Sequence, residues 1–331
     1  MRISKKRVEQ ICRKKFTNCH IENFREITEA GLVNHIFELQ ITDPKKTLIL
    51  KVYPKKWEHY KPEKEKFVFE LIHKKTKLPV PETFILDKSK KILPNTYILM
   101  NKLGGIMLKH AKIPNKEKLF FELGKDLAEL HKIKLSNFGW IYKDKISRYE
   151  TKYSKPFNTM KEYFEDYWIE QKKEFMSAPN KKYGKIDKQS FIELMPKMDK
   201  FVERHLHLLD TKITPVFIHN DFSWENILVE KNGEWKISGI LDVEFAKVAD
   251  AELELERYFD PFMFNSKKFT QAFVKGYLSK KKLSKNFYQK KDLYQLARLF
   301  SWASFDGFVI GMAKQDWMEY FYSSIKKLLK T

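Results

Sequence analysis

The sequence predicts an α+β fold in two unequal lobes, with a mostly antiparallel sheet over about residues 1–103 and a larger, mainly helical part over about 104–331. Three observations carry this. Strand-like runs crowd the region before residue 103. Beyond it, apolar residues recur mostly at helical spacing. One stretch, residues 216–245, breaks that helical pattern with two apolar runs joined by Asn232-Gly233, a pair that readily takes the positive φ of a hairpin turn. A chain of 331 residues suits one two-lobed protein or two modest domains.

In order, residues 4–16 place Val8, Ile11, Cys12 and Phe16 on one helical face and Lys and Arg on the other. Residues 21–28 and 35–42 read as strands. The segment between them, Glu29 to Asn34 with Gly31 inside it, reads by itself as a hairpin turn. After the turn at Asp43-Pro44 comes a strand, 47–53, in which Lys51 is the one charge. A helix follows over 63–75, and then a strand from Tyr97 to Leu103 that runs into Gly104-Gly105. Leu119, Leu123, Leu127 and Leu130 mark a helix ending at His131, which reads as a structural helix-end residue. Residues 141–212 are lysine-rich with interleaved aromatics and suggest helices near 158–176 and 188–209. Three more are expected at about 266–279, 290–312 and 314–330. There Trp302, Phe305, Asp306, Phe308 and Trp317 read either as an aromatic surface with one acid or as helix–helix packing.

The chemistry concentrates in 216–245. Asp221 follows the apolar run 216–218, Asn226 precedes the run 227–229, and Asp242 closes the run 240–241. Folding the hairpin brings Asn226 beside Asp242, with Asp221 on the loop that feeds them. A carboxamide and a carboxylate are hard oxygen donors suited to Mg²⁺, which takes few protein ligands and completes its shell with phosphate and water. The second carboxylate can accept a proton from an attacking hydroxyl. The order His219-Asn220-Asp221, Asn226, then a strand-end Asp242 is that of a kinase catalytic loop and metal-binding Asp. It departs from protein kinases in having Asn220 where they carry Arg, and in lacking Phe-Gly after Asp242.

With Ile240-Leu241-Asp242-Val243-Glu244, this run resembles the aminoglycoside phosphotransferase family, a small-molecule branch of the protein-kinase-like fold that also holds choline kinase-like, homoserine kinase-like and sugar kinase-like members. Leu78-Pro79-Val80-Pro81, Leu127-Ala128-Glu129-Leu130-His131 and Phe138-Gly139 add to the likeness. The resemblance implies ATP or GTP in a cleft between the lobes, Mg²⁺, and a small molecule whose hydroxyl accepts phosphate. It makes Asp221 the residue that positions or deprotonates that hydroxyl, and Asn226 and Asp242 the metal ligands. Lys51 would contact the α- and β-phosphates, with Glu65 as its helix partner and Glu63 and Glu70 as alternatives. Gly31 would lie in the loop over the phosphates. The backbone of the hinge, Met100, Asn101 and Leu103 within residues 100–103, would meet the base. Two positions depart from the family pattern: Ala249 stands where Gly is usual, and Glu254 where Asp is usual.

The formal net charge of +21 admits a solvated lysine surface or a basic face for nucleic acid or an anionic membrane. The lysines are dispersed, which favours the first. Such a charge is a poor long-range attractor for a polycationic aminoglycoside, unless Glu244, Asp250, Glu252, Glu254 and Glu256 form a local acidic pocket. The alternative from another class is a catalytically idle scaffold that binds RNA or another polyanion. The charge speaks for it and the intact Asp–Asn–Asp set against it. No run of about twenty apolar residues suggests a membrane span. The basic N-terminus has no apolar signal core. Two cysteines make no disulfide framework, so a reduced cytoplasm is expected. Nothing in the sequence specifies an oligomeric state.

Overall fold

The structure, a computed structural model, describes residues 3–27 and 34–330. The expectation for Gly31 lies outside the described residues. The first part of the chain runs α1 (Lys5–Arg13), β1 (His20–Glu26), β2 (His35–Thr42), β3 (Lys46–Val52), α2 (Lys61–Lys75), β4 (Thr83–Asp87) and β5 (Tyr97–Asn101). The five strands form one antiparallel sheet in the order β1-β2-β3-β5-β4. Strand alternation sorts β3 into two faces. Leu48, Leu50 and Val52 join Val8, Ile11 and Cys12 of α1 in one core. Lys51 falls on the opposite face, with Ile49 and the following Tyr53. Both cysteines are free and buried.

The rest runs β6 (Ile106–Met107), α3 (Lys116–Leu130), β7 (Gly139–Tyr142), β8 (Lys145–Ser147), α4 (Met160–Ser177), β9 (Lys182–Tyr183), β10 (Ile186–Asp187) and α5 (Lys188–His205). It continues with β11 (Val216–Ile218), β12 (Ile227–Asn232), β13 (Glu234–Ile240), β14 (Lys247–Ala249), α6 (Ala251–Leu255), α7 (Lys267–Leu278), α8 (Phe287–Trp302) and α9 (Gln315–Leu328). Two small sheets, β13-β12-β6 and β11-β14-β7-β8, sit among the helices. This is an α+β, two-lobed, protein-kinase-like arrangement, a small antiparallel sheet followed by a larger helical part. Helices α3 and α7 cross backbone to backbone. A Cβ on Gly276 would lie 1.9 Å from the Phe121 carbonyl oxygen, and one on Gly124 would lie 2.0 Å from that of Phe273, so only glycine fits at either position.

Several boundaries differ from expectation. The first strand ends at Glu26 and the α5 helix at His205, where a 3₁₀ turn (Leu206–Leu209) takes over. The helix expected over 290–312 is α8 followed by a π-helical turn (Ala303–Val309). Phe308 is 1 % exposed and packs with Phe175, Tyr183 and Phe191, so it belongs to the core rather than to an aromatic surface. No helix among the described residues is long and apolar enough to cross a membrane.

Candidate active site

The hairpin of β12 and β13 pairs Ile227 with Ile240, and the Leu241 N–H donates to the Asn226 carbonyl oxygen at 2.8 Å. That pairing sets Asp242 next to Asn226. The Asn226 side-chain NH₂ donates to Asp221 Oδ2 at 2.8 Å and to the Asp221 carbonyl oxygen at 2.9 Å. Its carboxamide oxygen is thereby left over. Asp242 Oδ1 is buried with no hydrogen-bond partner. Asn220 and Asp242 both hold positive φ, at 64° and 54°. Non-glycine residues in that region store backbone strain, here on the two loops that converge. Burial, and then repulsion by Asp242, push the Asp221 carboxyl up to about 7.

Glu254 accepts the backbone N–H groups of His219 at 2.9 Å and Asn220 at 2.6 Å, and it also meets His131 Nε2 at 2.9 Å. A glutamate in place of the expected aspartate therefore fixes the loop leading to Asp221. His131 is buried as the structural residue it was read to be, with Nδ1 taking the Tyr277 hydroxyl at 2.8 Å. Arg257, three positions after Glu254 on the same helical segment, donates to the Asn220 carbonyl oxygen at 2.6 Å and to its side-chain oxygen at 3.0 Å. The sequence reading missed Arg257, and only its i, i+3 spacing from Glu254 hinted at it.

Lys51 Nζ meets Glu65 Oε2 at 2.6 Å, and the Tyr53 hydroxyl donates to the same oxygen at 2.7 Å. Burial alone would lower the lysine's pKa, but Glu65 and Asp242 hold it above the ordinary lysine value. The alternatives are engaged elsewhere: Glu63 with Lys88 at 2.5 Å and Glu70 with Lys66 at 2.8 Å. Two further lysines of α2 clamp the segment after Asp242. Lys61 Nζ reaches Glu244 Oε2 at 2.7 Å, and Lys64 Nζ reaches the Glu244 carbonyl oxygen at 2.5 Å.

Between the sheet and the hairpin lies a cavity of about 640 Å³, lined by Lys51, Glu65, Met100, Asn101, Leu103, Asn226 and Asp242 among others. Met100 is paired on both sides, to Ile49 and Thr83. The Asn101 side-chain oxygen accepts the Glu82 N–H at 2.7 Å. Lys102 donates its N–H to the Thr47 carbonyl oxygen at 3.2 Å, and the sheet releases the chain at Leu103. At Gly105, φ is +99° and a Cβ would lie 2.4 Å from the Val229 carbonyl oxygen, so the linker passes tight against β12.

Residues 26–283 match the phosphotransferase enzyme family. The chain belongs to that family. No curated protein matches it in sequence. Among solved structures it is similar to aminoglycoside phosphotransferase APH(4)-Ia, at 13% identity, TM-score 0.69 and 99% of each chain covered. A ternary complex of a variant of that enzyme with AMP-PNP and hygromycin B gives 12% identity, TM-score 0.67 and coverage of 98% and 97%. A protein provisionally assigned as a fructosamine-3-kinase from Haemophilus somnus 129PT gives 16% identity, TM-score 0.64 and coverage of 97% and 96%. These likenesses are of fold.

The acidic pocket that Glu244 and the acids from Asp250 to Glu256 could have formed is not seen. Asp250 takes Lys290 at 2.7 Å and the Tyr294 hydroxyl at 2.9 Å. Glu252 takes Lys290 at 2.6 Å and Ser284, Glu256 takes Arg298 at 2.8 Å, and Glu254 is spent on the His219 loop. All four are buried, and Glu244 is paired with Lys61. Carboxylates leave water only when paired, so these acids are structural.

Proposed function

We propose that the protein transfers the γ-phosphoryl group of ATP or GTP to a hydroxyl of a small molecule. The observation that carries this reading is the convergence of Asp221, Asn226 and Asp242 at one end of the cavity whose wall carries the Lys51–Glu65 pair. On this reading residues 1–103 form the nucleotide lobe and residues 104–331 the acceptor lobe. The hinge backbone at Met100, Asn101 and Leu103 meets the base. That APH(4)-Ia was captured with AMP-PNP and hygromycin B supports a nucleotide and a small molecule bound side by side.

The residues present fit Mg²⁺. Among the described residues no cluster of three His, Cys, Asp or Glu side chains is arranged to hold a metal. Mg²⁺ beside phosphates needs only one or two protein ligands. The orphaned Asp242 Oδ1 and the left-over Asn226 oxygen supply them. When bound, Mg²⁺ supplies neutralisation of the charge on the phosphate oxygens. Lys51, held by Glu65, orients the α- and β-phosphates. Asp221, its carboxyl fixed by Asn226, accepts the hydroxyl proton as the acceptor oxygen attacks. Most of the rate comes from positioning and charge neutralisation, because the transferring phosphoryl is loosely bonded in the transition state.

Asp221→Asn tests this. Asn keeps the size and hydrogen bonding but cannot take a proton. Transfer should fall by about 10²–10⁴, with Mg–nucleotide affinity within a few-fold of wild type by titration. Full transfer by the variant would remove the assignment. No transfer by wild type to any acceptor, with salt-sensitive RNA binding instead, would favour the idle scaffold.

A further inference from the structure

Lys247 is the feature the catalytic set leaves unexplained. It sits in β14 opposite Ile218, the last strand residue before the Asp221 loop. The residue is 3 % exposed. Its ammonium lies 4.8 Å from the Trp140 ring centroid, 4.9 Å from that of Tyr167 and 5.8 Å from that of Tyr163. Among the described residues no carboxylate or carbonyl oxygen comes within hydrogen-bond or ion-pair reach of it. The stem is buried while the ammonium keeps some access to solvent, and ring faces replace only part of its lost hydration.

Its surroundings are rich in donors and poor in acceptors. The Tyr163 hydroxyl and Arg257 Nε are both buried without partners. The two acids nearest in charge are committed elsewhere, Glu254 to the His219 loop and Glu150 to Lys64 at 2.7 Å. Burial, and then the proximity of Arg257, lower the Lys247 ammonium to about 7, with Lys64 adding to the repulsion. Neither Lys247 nor Arg257 lines the nucleotide cavity. Arg257 grips Asn220, the residue beside Asp221. Lys247 and Arg257 therefore lie next to the loop that carries the proton acceptor.

We infer that the acceptor molecule bears an oxyanion, a carboxylate or a phosphate, beside the hydroxyl that is phosphorylated, and that Lys247 with Arg257 and Tyr163 receives it. This rests on the phosphotransferase reading above. An oxyanion would supply acceptors to the Lys247 ammonium and to two buried, unpartnered donors, Tyr163 and Arg257, and relieve the repulsion between the cations. The net charge of +21 would draw such a molecule in. A polycationic acceptor would meet the opposite field.

The test sets simple sugars, their aldonic acids, their phosphate monoesters and kanamycin against wild type, Lys247→Met and Lys247→Arg. Nucleotide consumption and direct calorimetric binding of each acceptor are the readouts. Wild type should prefer an oxyanion-bearing compound, and the acid and phosphate arms identify which oxyanion. Lys247→Met keeps the aliphatic stem against the rings. It should raise KM for that compound about 10- to 100-fold, the size of a lost charge-assisted hydrogen bond. Nucleotide KM should be unchanged, and Lys247→Arg should recover most of the effect. Preference for neutral sugars or kanamycin, or an unchanged oxyanion KM in a folded Lys247→Met, overturns the inference and leaves the phosphotransferase reading standing. Oxyanion binding sensitive to Lys247 with no transfer to any acceptor overturns the reading on which the inference rests.

Discussion

His219 Nε2 donates to the Leu241 carbonyl oxygen at 3.0 Å, while its Nδ1 accepts the Asp221 N–H at 3.3 Å. One buried imidazole thus joins the loop that carries Asp221 to the loop that carries Asp242. Burial lowers its pKa, which keeps the ring neutral with one donor and one acceptor, as both bonds require. His219→Ala should leave Asp221 and Asp242 present but misregistered. We expect kcat to fall about 10²-fold, the scale of an ångström-sized misplacement, with a smaller change in nucleotide affinity. Steady-state kinetics beside a near-UV spectrum of the folded variant checks it.

Lys51 and Glu65 form the second tie. Lys51→Met should weaken nucleotide binding, and Glu65→Gln should weaken it less. A double-mutant cycle on nucleotide affinity should give a coupling of about 1 kcal/mol or more, since the two side chains touch. Additive effects would mean that the pair does not act on the nucleotide together.

Asp242→Asn keeps a residue that tolerates positive φ while removing the charge. We expect magnesium-dependent turnover to be lost at every Mg²⁺ concentration, with metal-free nucleotide binding and melting temperature little changed. Titrating Mg²⁺ against both activity and nucleotide binding distinguishes loss of the metal from loss of the fold.

Asp126 of α3 provides a pH test of stability. Burial, and then repulsion by Glu122, push its carboxyl up to about 7, against about 3.9 in an unfolded chain. Below the lower value both states hold the proton and the residue costs nothing. Between the two values only the native state holds it, so native stability falls as pH rises, and the penalty is complete above about 7. Asp126→Asn has no such proton. Its melting temperature should exceed that of wild type by a margin that grows from about pH 4 to pH 7 and then levels off. Paired melts across that range measure the difference.

Much of the site was legible because local chemistry dictates it. A hairpin must bring its strand ends together, so Asn226 and Asp242 could be paired on paper. Strand alternation set Lys51 apart from Leu50 and Val52. The same signal, one charge in the apolar run from Ala246 to Ala249, marks Lys247, and the reading passed over it. The role of the acids from Asp250 to Glu256 was not legible, because their partners Lys290 and Arg298 lie some forty residues on. Nothing local distinguishes a carboxylate headed for a buried pair from one facing solvent. The two-residue strands β9 and β10 are too short to show alternation.

Those distant pairs bear on where this protein can be cut. The family match ends at residue 283, yet Lys290, Tyr294, Arg298 and Tyr320 hold Asp250, Glu252, Glu256 and Asp260 in the interior. Removing one partner of a buried pair costs about 3–5 kcal/mol, and a chain stopped at the edge of the match would strand all four carboxylates at once. Helix α8 carries the counter-ions and α9 adds the Tyr320 hydroxyl. A piece meant to fold should keep both, and a graft or chimaera drawn along family lines would leave out what neutralises the interior.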